Sequence, residues 1–266
     1  MAIIYGPVAS WRLGRSLGID LLNTRRKVCS FNCVYCQLGE TDQFIIEPKE
    51  FISLEQLHSE IELLKPIKAD YVTFSGMGEP TLANNLGEAI ELVRSILDLP
   101  VAVLTNSALM FREDVRQRLA HADVVVAKLD VPNEELFAMV NRPAPGLHFD
   151  QIIEGIRLFR DEYKGKLALQ VMFIEANKDY ASQIAVLARQ ISPDEMQINT
   201  PLRPCAVRPL PPKSIAEIQK EFTNFESVVT VYESRKSKVL PLDLAETLRR
   251  RPRLDDSVDS SRLHER

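Results

Sequence analysis

The stretch KVCSFNCVYCQLG, residues 27–39, carries three of the four cysteines of this 266-residue chain. Cys29, Cys33 and Cys36 have the spacing CxxxCxxC. Three thiolates this close together in sequence can hold three irons of a [4Fe–4S] cluster, which usually takes four cysteine ligands. The fourth iron would have no protein ligand and would be open to another molecule, as a metal centre that performs chemistry requires.

Zinc is the main alternative for these cysteines. A zinc site would need a fourth ligand. The candidates for that ligand are all far away in the sequence: Cys205, His58, His121, His148 and His264. Closed zinc sites more often combine paired two-cysteine motifs, and we keep a non-catalytic zinc-binding module as an alternative. A disulfide scaffold is disfavoured, because four cysteines in 266 residues without a signal peptide are not the pattern of a small secreted protein.

The composition indicates an ordinary globular protein. Apolar residues make up 45% of the chain and the formal net charge is −4, which gives no general attraction to nucleic acid. No apolar run approaches the roughly 18 residues that a membrane span needs. The first residues, MAIIYGPVASWRLGR, place apolar side chains before the first charge, the reverse of a signal peptide. We therefore expect a cytoplasmic protein.

Short apolar segments alternate with longer amphipathic ones. The apolar segments predict strands at residues 16–22, 70–76, 101–107, 123–130, 167–175 and 195–201. The amphipathic segments predict helices at residues 53–65, 83–97, 112–122, 149–163 and 179–191, the first of them capped by Ser53. Strands that are apolar almost throughout fit a parallel sheet buried on both faces. The alternation is typical of a β/α barrel or a doubly wound sheet, and six units are too few for an eight-fold barrel.

The chain changes character after the sixth predicted strand. A proline-rich segment at residues 201–214 predicts extended backbone with little regular structure. A helix at 214–225, a short strand at 227–232 and a further helix within 242–266 should follow, and we expect the final ten or so residues to be mobile. We therefore predict a barrel over residues 1–204 and a short C-terminal extension over residues 205–266.

The cysteine motif, with Tyr35 just before the last cysteine, resembles the signature of the radical S-adenosylmethionine (SAM) superfamily. The resemblance implies that the amino and carboxylate groups of SAM chelate the open iron. It implies that reduction by a ferredoxin or flavodoxin cleaves SAM to a 5′-deoxyadenosyl radical, which abstracts a hydrogen atom from a substrate. It also implies an α/β fold, a partial six-stranded (β/α)6 barrel, with which the count of β/α units agrees. The cysteines follow the first strand, at the edge where the active sites of such folds lie.

A second motif, GMGEP at residues 76–80, follows the second predicted strand. It resembles the GGEP-type segment of the same superfamily, which implies that Gly76, Met77, Gly78 and Glu79 form a backbone edge for the SAM methionine. Met77 stands where the family often has a second glycine. The resemblance also implies that Tyr35 packs near the adenine of SAM. The alternatives are an ordinary strand-to-helix turn and an aromatic residue that shields the cluster.

Polar side chains follow several predicted strands at the mouth of the barrel. They are Thr105, Asn106, Ser107, Lys128, Asp130, Gln170, Asn199 and Thr200. Lys128 and Asp130 share one face of their strand, and unpaired charge inside a barrel is costly. We therefore predict that they form an ion pair or bind the cofactor. Asn106 is the candidate for the SAM ribose or carboxylate.

Arginines near the predicted mouth of the barrel indicate the charge of the substrate. They are Arg12, Arg15, Arg142, Arg203 and Arg208. Guanidinium groups bind carboxylates and phosphates, so an anionic substrate is expected if these loops converge. Surface salt bridges are the alternative for each of them.

The longer pattern resembles one branch of the superfamily. Its segments are GPVASWRLGRSLGIDLL, CSFNCVYCQLG, FSGMGEPT, KLD, NRP and QINTPLRP, with Trp11 in place of an arginine. This branch is grouped with wyosine-type iron–sulfur oxidoreductases of tRNA synthesis, which makes a tRNA base the first predicted substrate. The patch RRRPR at 249–253 could contact phosphates, with a solvated helix end as the alternative. An activating or peptide-modifying enzyme that acts on a protein partner is the rival function. Cys205 has no counterpart in the pattern, and we interpret it as an incidental buried thiol.

Overall fold

An eight-stranded sheet runs through the part of the chain that the computed structural model describes, residues 1–64, 66–234 and 237–252. The strands are β1 Ile4–Ser10, β2 Gly14–Ile19, β3 Tyr71–Phe74, β4 Val101–Thr105, β5 Val124–Lys128, β6 Lys166–Met172, β7 Glu195–Asn199 and β8 Val228–Thr230. The helices are α1 Leu54–Glu62, α2 Leu86–Ile96, α3 Glu113–Leu119, α4 Glu134–Leu136, α5 Phe149–Glu162, α6 Ala181–Ile191, α7 Pro212–Gln219 and α8 Leu244–Arg250. Single 3-10 turns lie at Pro80–Leu82, Lys178–Tyr180 and Lys220–Phe222, and a π-helical turn lies at Phe137–Asn141.

The strands pair in the order of the chain. Strand β1 is antiparallel to β2, and every later pairing from β2 to β8 is parallel. Strands β2 to β7 are the six predicted units, so the partial barrel is confirmed as a curled half-barrel. Strand β8 lies within the predicted segment 227–232. Strand β1 was not predicted, because Gly6 and Pro7 interrupt its apolar pattern; as an edge strand with a register shift between Tyr5 and Val8, it tolerates the proline.

The two faces of the sheet differ in character. Apolar side chains of the helices cover the outer face, as Leu57 and Ile61 of α1 and Ile156 and Phe159 of α5 do. Helix α1 begins at Ser53 with a capping box, in which Ser53 and Gln56 each accept the other's backbone N–H. The inner face lines a cavity with one or more side chains from each strand between β2 and β7: Ser16, Thr73, Leu104, Lys128, Gln170, Met172 and Asn199. The mostly polar inner face is therefore where the fold can bind a ligand.

The C-terminal region attaches to both ends of the sheet. Residues 201–211 form no helix or strand, which agrees with most of the predicted irregular segment 201–214, but α7 begins at Pro212, before the predicted helix start at residue 214. Strand β8 then pairs with β7. Helix α8 lies against β1, where Thr247 Oγ1 accepts the Gly6 N–H at 3.0 Å. The predicted mobile tail falls outside the described residues. Among the helices that the structure describes, none has the length and apolarity to cross a membrane.

Candidate active site

The cysteine loop and the GMGEP segment lie side by side, although some forty residues separate them. Val28 and Gly78 form a parallel bridge, in which the Val28 N–H donates to Met77 O at 2.9 Å and the Glu79 N–H donates to Val28 O at 3.1 Å. A Cβ atom on Gly78 would lie 1.6 Å from the Val28 oxygen, so only glycine permits this contact. The two motifs that the sequence suggested separately therefore form one backbone surface.

Asp20 fixes the start of the GMGEP segment by a hydrogen bond to its backbone. It follows β2, is fully buried, and its Oδ2 accepts the Met77 N–H at 3.2 Å. The same oxygen accepts a bond from Arg250 Nε of α8 at 2.8 Å, and Arg250 is itself fully buried. Arg250 is thus neither a phosphate-binding surface residue nor part of a solvated helix end. Asp20 was missed in the sequence, although a charge at the end of an apolar strand was the available signal.

Glu79 is held by hydrogen bonds inside the protein and does not line the interior cavity. Its carboxylate accepts from Thr105 Oγ1 at 2.7 Å, from the Asn106 N–H at 2.7 Å and from Thr81 at 2.8 Å. Burial raises the pKa of the Glu79 carboxyl, while these hydrogen bonds act in the opposite direction. Met77 does not line the cavity either, so the edge that faces it consists of Gly76 and Gly78.

Asn106 lies against the cluster motif. Its side-chain amide donates to Cys29 Sγ at 3.4 Å and to Ser30 Oγ at 3.0 Å. Its carbonyl oxygen accepts the Ala108 N–H at 2.9 Å. The structure therefore places Asn106 next to a cysteine sulfur and not among the residues that line the interior cavity.

Tyr35, Lys128 and Asp130 form a buried network beside Cys33. Lys128 Nζ lies 3.5 Å from Asp130 Oδ1 and 4.4 Å from the centre of the Tyr35 ring, and the Tyr35 hydroxyl donates a short hydrogen bond to Asp130. Of the two alternatives for Lys128 and Asp130, the structure shows the ion pair. Burial and then the Asp130 charge raise the pKa of Tyr35 well above its ordinary value, so its hydroxyl stays protonated.

Asn141 completes this network and was missed in the sequence. Its amide donates to Asp130 Oδ2 at 2.8 Å and lies 3.6 Å from Cys33 Sγ. The NRP segment was the available signal in the sequence. In the structure Arg142, the residue after Asn141, adopts a left-handed conformation (φ 46°). Two asparagines, the buried Asn141 and the half-buried Asn106, thus each offer an N–H to a cysteine sulfur.

The three cysteines are free thiols, with Cys29 buried and Cys33 and Cys36 half-buried. Burial raises the pKa of Cys29 to about 12 and also raises that of Cys33. The Phe31 N–H adds a further donor to the Cys29 sulfur at 3.4 Å. Cys29 and Cys33 thus receive N–H donors, and the loop that carries all three cysteines adjoins a glycine backbone edge. This arrangement fits an iron–sulfur cluster, whose potential such hydrogen bonds set.

The structure supplies no fourth zinc ligand from the histidines it describes. His58, His121 and His148 pair with surface glutamates. His264 lies outside the described residues. Nor do three or more His, Cys, Asp or Glu side chains of the described ranges converge as ligands of one metal ion. Cys205 donates to Val207 O at 3.2 Å and lines an outer cavity of about 1020 Å³ together with Cys33 and Cys36.

The predicted arginines separate into three places. Arg12 and Arg203 line the interior cavity of about 620 Å³, together with Arg251, Tyr35 and Cys36. Arg142 and Arg208 line the outer cavity instead. Arg15 pairs with Asp70 outside both cavities. The expected convergence therefore holds for only part of the set.

Residues 26–187 match the sequence model of the radical SAM superfamily. The chain belongs to the radical SAM superfamily. It is 39% identical over 236 residues to a UPF0026 protein of Methanocaldococcus jannaschii, a match that covers 86% of this chain and 73% of the relative. The range that matches the superfamily model, residues 26–187, contains the cysteine motif, the GMGEP segment and Asn141.

Solved radical SAM structures share the fold. SuiB of Streptococcus suis bound to S-adenosylmethionine superposes with a TM-score of 0.61 at 12% identity, over 82% of this chain and 50% of SuiB. This chain therefore spans half the length of SuiB. Archaeal TYW1 superposes with a TM-score of 0.56 at 14% identity, over 77% of this chain and 70% of that protein. Radical SAM proteins are enzymes that use a [4Fe–4S] cluster and SAM, and this chain is an enzyme of that kind.

Proposed function

We propose that Cys29, Cys33 and Cys36 ligate the [4Fe–4S] cluster and that the Gly76–Glu79 backbone holds the methionine part of SAM. The observation that carries this proposal is the Val28–Gly78 bridge, which joins the cysteine loop to a glycine edge open to the interior cavity. When bound, the cluster supplies the electron that cleaves SAM to the hydrogen-abstracting 5′-deoxyadenosyl radical, which makes the protein an oxidoreductase.

Neighbouring side chains fix the position of the GMGEP segment, donate hydrogen bonds to the cysteine sulfurs and orient the Tyr35 ring. Glu79 ties the GMGEP segment to the end of β4, and Asp20 ties it to β2. Asn106 and Asn141 offer N–H groups to the cysteine sulfurs, which tunes the potential of a bound cluster. The Lys128–Asp130 pair fixes the Tyr35 ring at the cavity wall, in the place where we assign the SAM adenine.

The test is anaerobic reconstitution with iron and sulfide, reduction with dithionite in the presence of SAM, and assay of 5′-deoxyadenosine. Wild type should form 5′-deoxyadenosine and Cys33→Ala should not. Cys205→Ala is the matched control and should behave as wild type, because Cys205 lies outside the proposed ligand set. A protein that holds zinc, or a cluster that never cleaves SAM, would contradict the proposal and favour the metal-binding module.

A ferredoxin or flavodoxin is the proposed physiological electron donor. Replacing dithionite by reduced ferredoxin or by reduced flavodoxin in the same assay tests this, and 5′-deoxyadenosine should again form with at least one of them. A protein that responds to dithionite but to neither carrier would contradict this part of the proposal alone.

We propose an anionic substrate, with a tRNA base as the specific candidate. The cationic interior cavity supports an anion over an uncharged peptide segment. Comparison of tRNA nucleosides from cells with and without the protein tests the candidate, since loss of one modified nucleoside is expected. Unchanged nucleosides would refute the tRNA candidate and move the peptide-modifying alternative forward.

A further inference from the structure

Lys27 lies at the start of the loop that carries the three cysteines. Its side chain is buried, with 6% of its surface exposed. It lines neither the interior cavity nor the outer cavity, so it is placed to contact neither SAM nor a substrate there. Its Nζ atom donates to Gly39 O at 3.2 Å, so the side chain reaches from the first residue of KVCSFNCVYCQLG to the last. The ammonium group therefore lies within the cysteine loop itself.

The acceptor of Lys27 belongs to a run of turns that leads back to two of the cysteines. Gly39 adopts a left-handed conformation (φ 81°), and its N–H donates to Cys36 O at 3.1 Å. The Cys36 N–H in turn donates to Cys33 O at 3.1 Å. The loop thus holds the ammonium group at a fixed place relative to Cys33 and Cys36.

The charge of Lys27 has no carboxylate partner in the part of the chain that the structure describes. Gly39 O accepts one of its three N–H groups, and no Asp or Glu of residues 1–64, 66–234 and 237–252 forms an ion pair with it. Lysine is seldom buried without a partner, because desolvation disfavours its charged form. A buried ammonium group with unused donors therefore points to an anion that binds nearby.

The cysteine sulfurs are the groups on which this charge acts. Burial raises the pKa of Cys29, and the charge of Lys27 is the largest effect in the opposite direction. Burial also raises the pKa of Cys33, and the charges of Lys128 and Lys27 oppose it. Lys128 already pairs with Asp130, so of these two lysines only Lys27 has no carboxylate partner among the described residues.

From this geometry we infer that Lys27 offsets the negative charge of the bound cluster and thereby raises its reduction potential. The inference rests on the proposed function, which assigns Cys29, Cys33 and Cys36 to a [4Fe–4S] cluster. Three thiolates leave such a cluster with a net negative charge, and the electron added on reduction increases that charge. A fixed positive charge stabilises the reduced form more than the oxidised form, and net charge is one of the factors that set a cluster's potential. Lys27 therefore makes the transfer of an electron to the cluster more favourable.

A purely structural role is the alternative, in which Lys27 only ties the two ends of the loop together. The two roles differ in what a substitution must preserve. Lys27→Gln keeps an N–H donor for Gly39 O but loses the charge, Lys27→Arg keeps the charge, and Lys27→Met loses both. Lys68 provides the matched control, because it is exposed and precedes β3 at the edge of the sheet opposite to the cysteine loop.

The first test is a redox titration of the reconstituted full-length protein without SAM, with EPR detection of the reduced cluster. In Lys27→Met and Lys27→Gln, one-electron reduction should be at least tenfold less favourable than in wild type, which is a fall in potential of about 59 mV or more. Lys27→Arg should stay closer to wild type than to Lys27→Met, and Lys68→Met should match wild type. Iron and sulfide contents check that each protein carries the same cluster.

Thermal unfolding provides a second readout that does not depend on turnover. Without iron, Lys27→Met should unfold at the same temperature as wild type or at a higher one, because it removes a buried cation that has no counter-ion. After reconstitution, the cluster should raise the unfolding temperature of wild type by more than that of Lys27→Met. A structural tie predicts instead that iron-free Lys27→Met unfolds at a lower temperature and gains as much from the cluster as wild type does.

Three outcomes would overturn the inference. They are a potential that is unchanged or higher in both neutral variants, a potential of Lys27→Arg as low as that of Lys27→Met, and the unfolding pattern of a structural tie. Neutral variants that assemble no cluster support the inference if Lys27→Arg assembles one, and overturn it if Lys27→Arg also fails.

Failure of the proposed function gives a different result. A wild type that assembles no [4Fe–4S] cluster would overturn the proposed function and this inference together. A cluster that never cleaves SAM, but whose potential falls in Lys27→Met, would overturn the proposed function alone. A cluster that cleaves SAM and keeps its potential in both neutral variants would overturn this inference alone.

Discussion

Replacing Arg250 by methionine should destabilise the protein and loosen the proposed SAM edge together. Arg250 and Asp20 are 0% and 1% exposed, and Arg250 Nε donates to Asp20 Oδ2 at 2.8 Å. The Arg250→Met variant leaves the Asp20 carboxylate buried without its counter-ion. Breaking a buried ion pair from one side costs about 3–5 kcal/mol of unfolding free energy. We expect a loss in this range, since a second cationic partner of Asp20 is absent among the described residues.

The assay is urea unfolding of wild type, Arg250→Met, Asp20→Asn and the double variant, followed by circular dichroism. The double variant should be more stable than the sum of the single losses implies, by about 1–3 kcal/mol, because it removes the unpaired charge. Arg189→Met is the control for loss of an arginine and should lie within about 0.5 kcal/mol of wild type.

SAM binding is the second readout of the same variants. The Asp20 oxygen that pairs with Arg250 also accepts the Met77 N–H, so Arg250→Met should weaken SAM binding to the reconstituted protein. A loss below about 1 kcal/mol in unfolding free energy, or strictly additive effects in the cycle, would refute the reasoning that the pair acts as a buried anchor.

Three further perturbations test other parts of the site and fold. Gly78→Ala should abolish the bridge to Val28 and with it SAM binding, because the new Cβ would lie 1.6 Å from the Val28 oxygen; an unchanged dissociation constant for SAM would contradict this. Asn141→Ala removes an N–H donor beside a cysteine sulfur and should lower the reduction potential of the reconstituted cluster, measured by redox titration with EPR detection; an equal or higher potential would count against the contact. Asp70→Asn should lower stability at neutral pH only, because the hydrogen bond from Arg15 lowers the pKa of Asp70. That contribution is present above the ordinary aspartate pKa of about 4 and is lost as the pH falls through the lowered value, so urea unfolding curves of the two proteins should converge in acid.

The local parts of the site could be predicted from the sequence. The cysteine spacing and the GMGEP segment each follow a parallel strand, and the ends of such strands meet at one edge of the sheet, which explains why they contact each other. Lys128 and Asp130 could be expected to pair because they are two residues apart on one strand. These inferences need only strand periodicity and the order of the chain.

The remaining parts depend on contacts that no local pattern encodes. The Asp20–Arg250 pair joins residues 230 positions apart, and the Asn141 contacts depend on a π-helical turn. Strand β1 was missed because an edge strand carries only half of the pairing constraints and so accepts Pro7. Each arginine could be proposed from the sequence as an anion-binding residue. That Arg12 and Arg203 line the interior cavity while Arg142 and Arg208 line the outer one depends on the course of the loops, which the sequence does not show.

The Asp20–Arg250 pair also fixes the order in which the site can mature during synthesis. Asp20 leaves the ribosome 230 residues before the arginine that neutralises it. At about 5–20 residues per second, the interval is roughly 10–50 s. During that time the cysteine loop and the glycine edge can emerge and meet, but the carboxylate beneath them has no counter-ion. Helix α8, the last helix of the described residues, therefore supplies this counter-ion late to a site whose proposed cluster and SAM contacts lie among the first eighty residues.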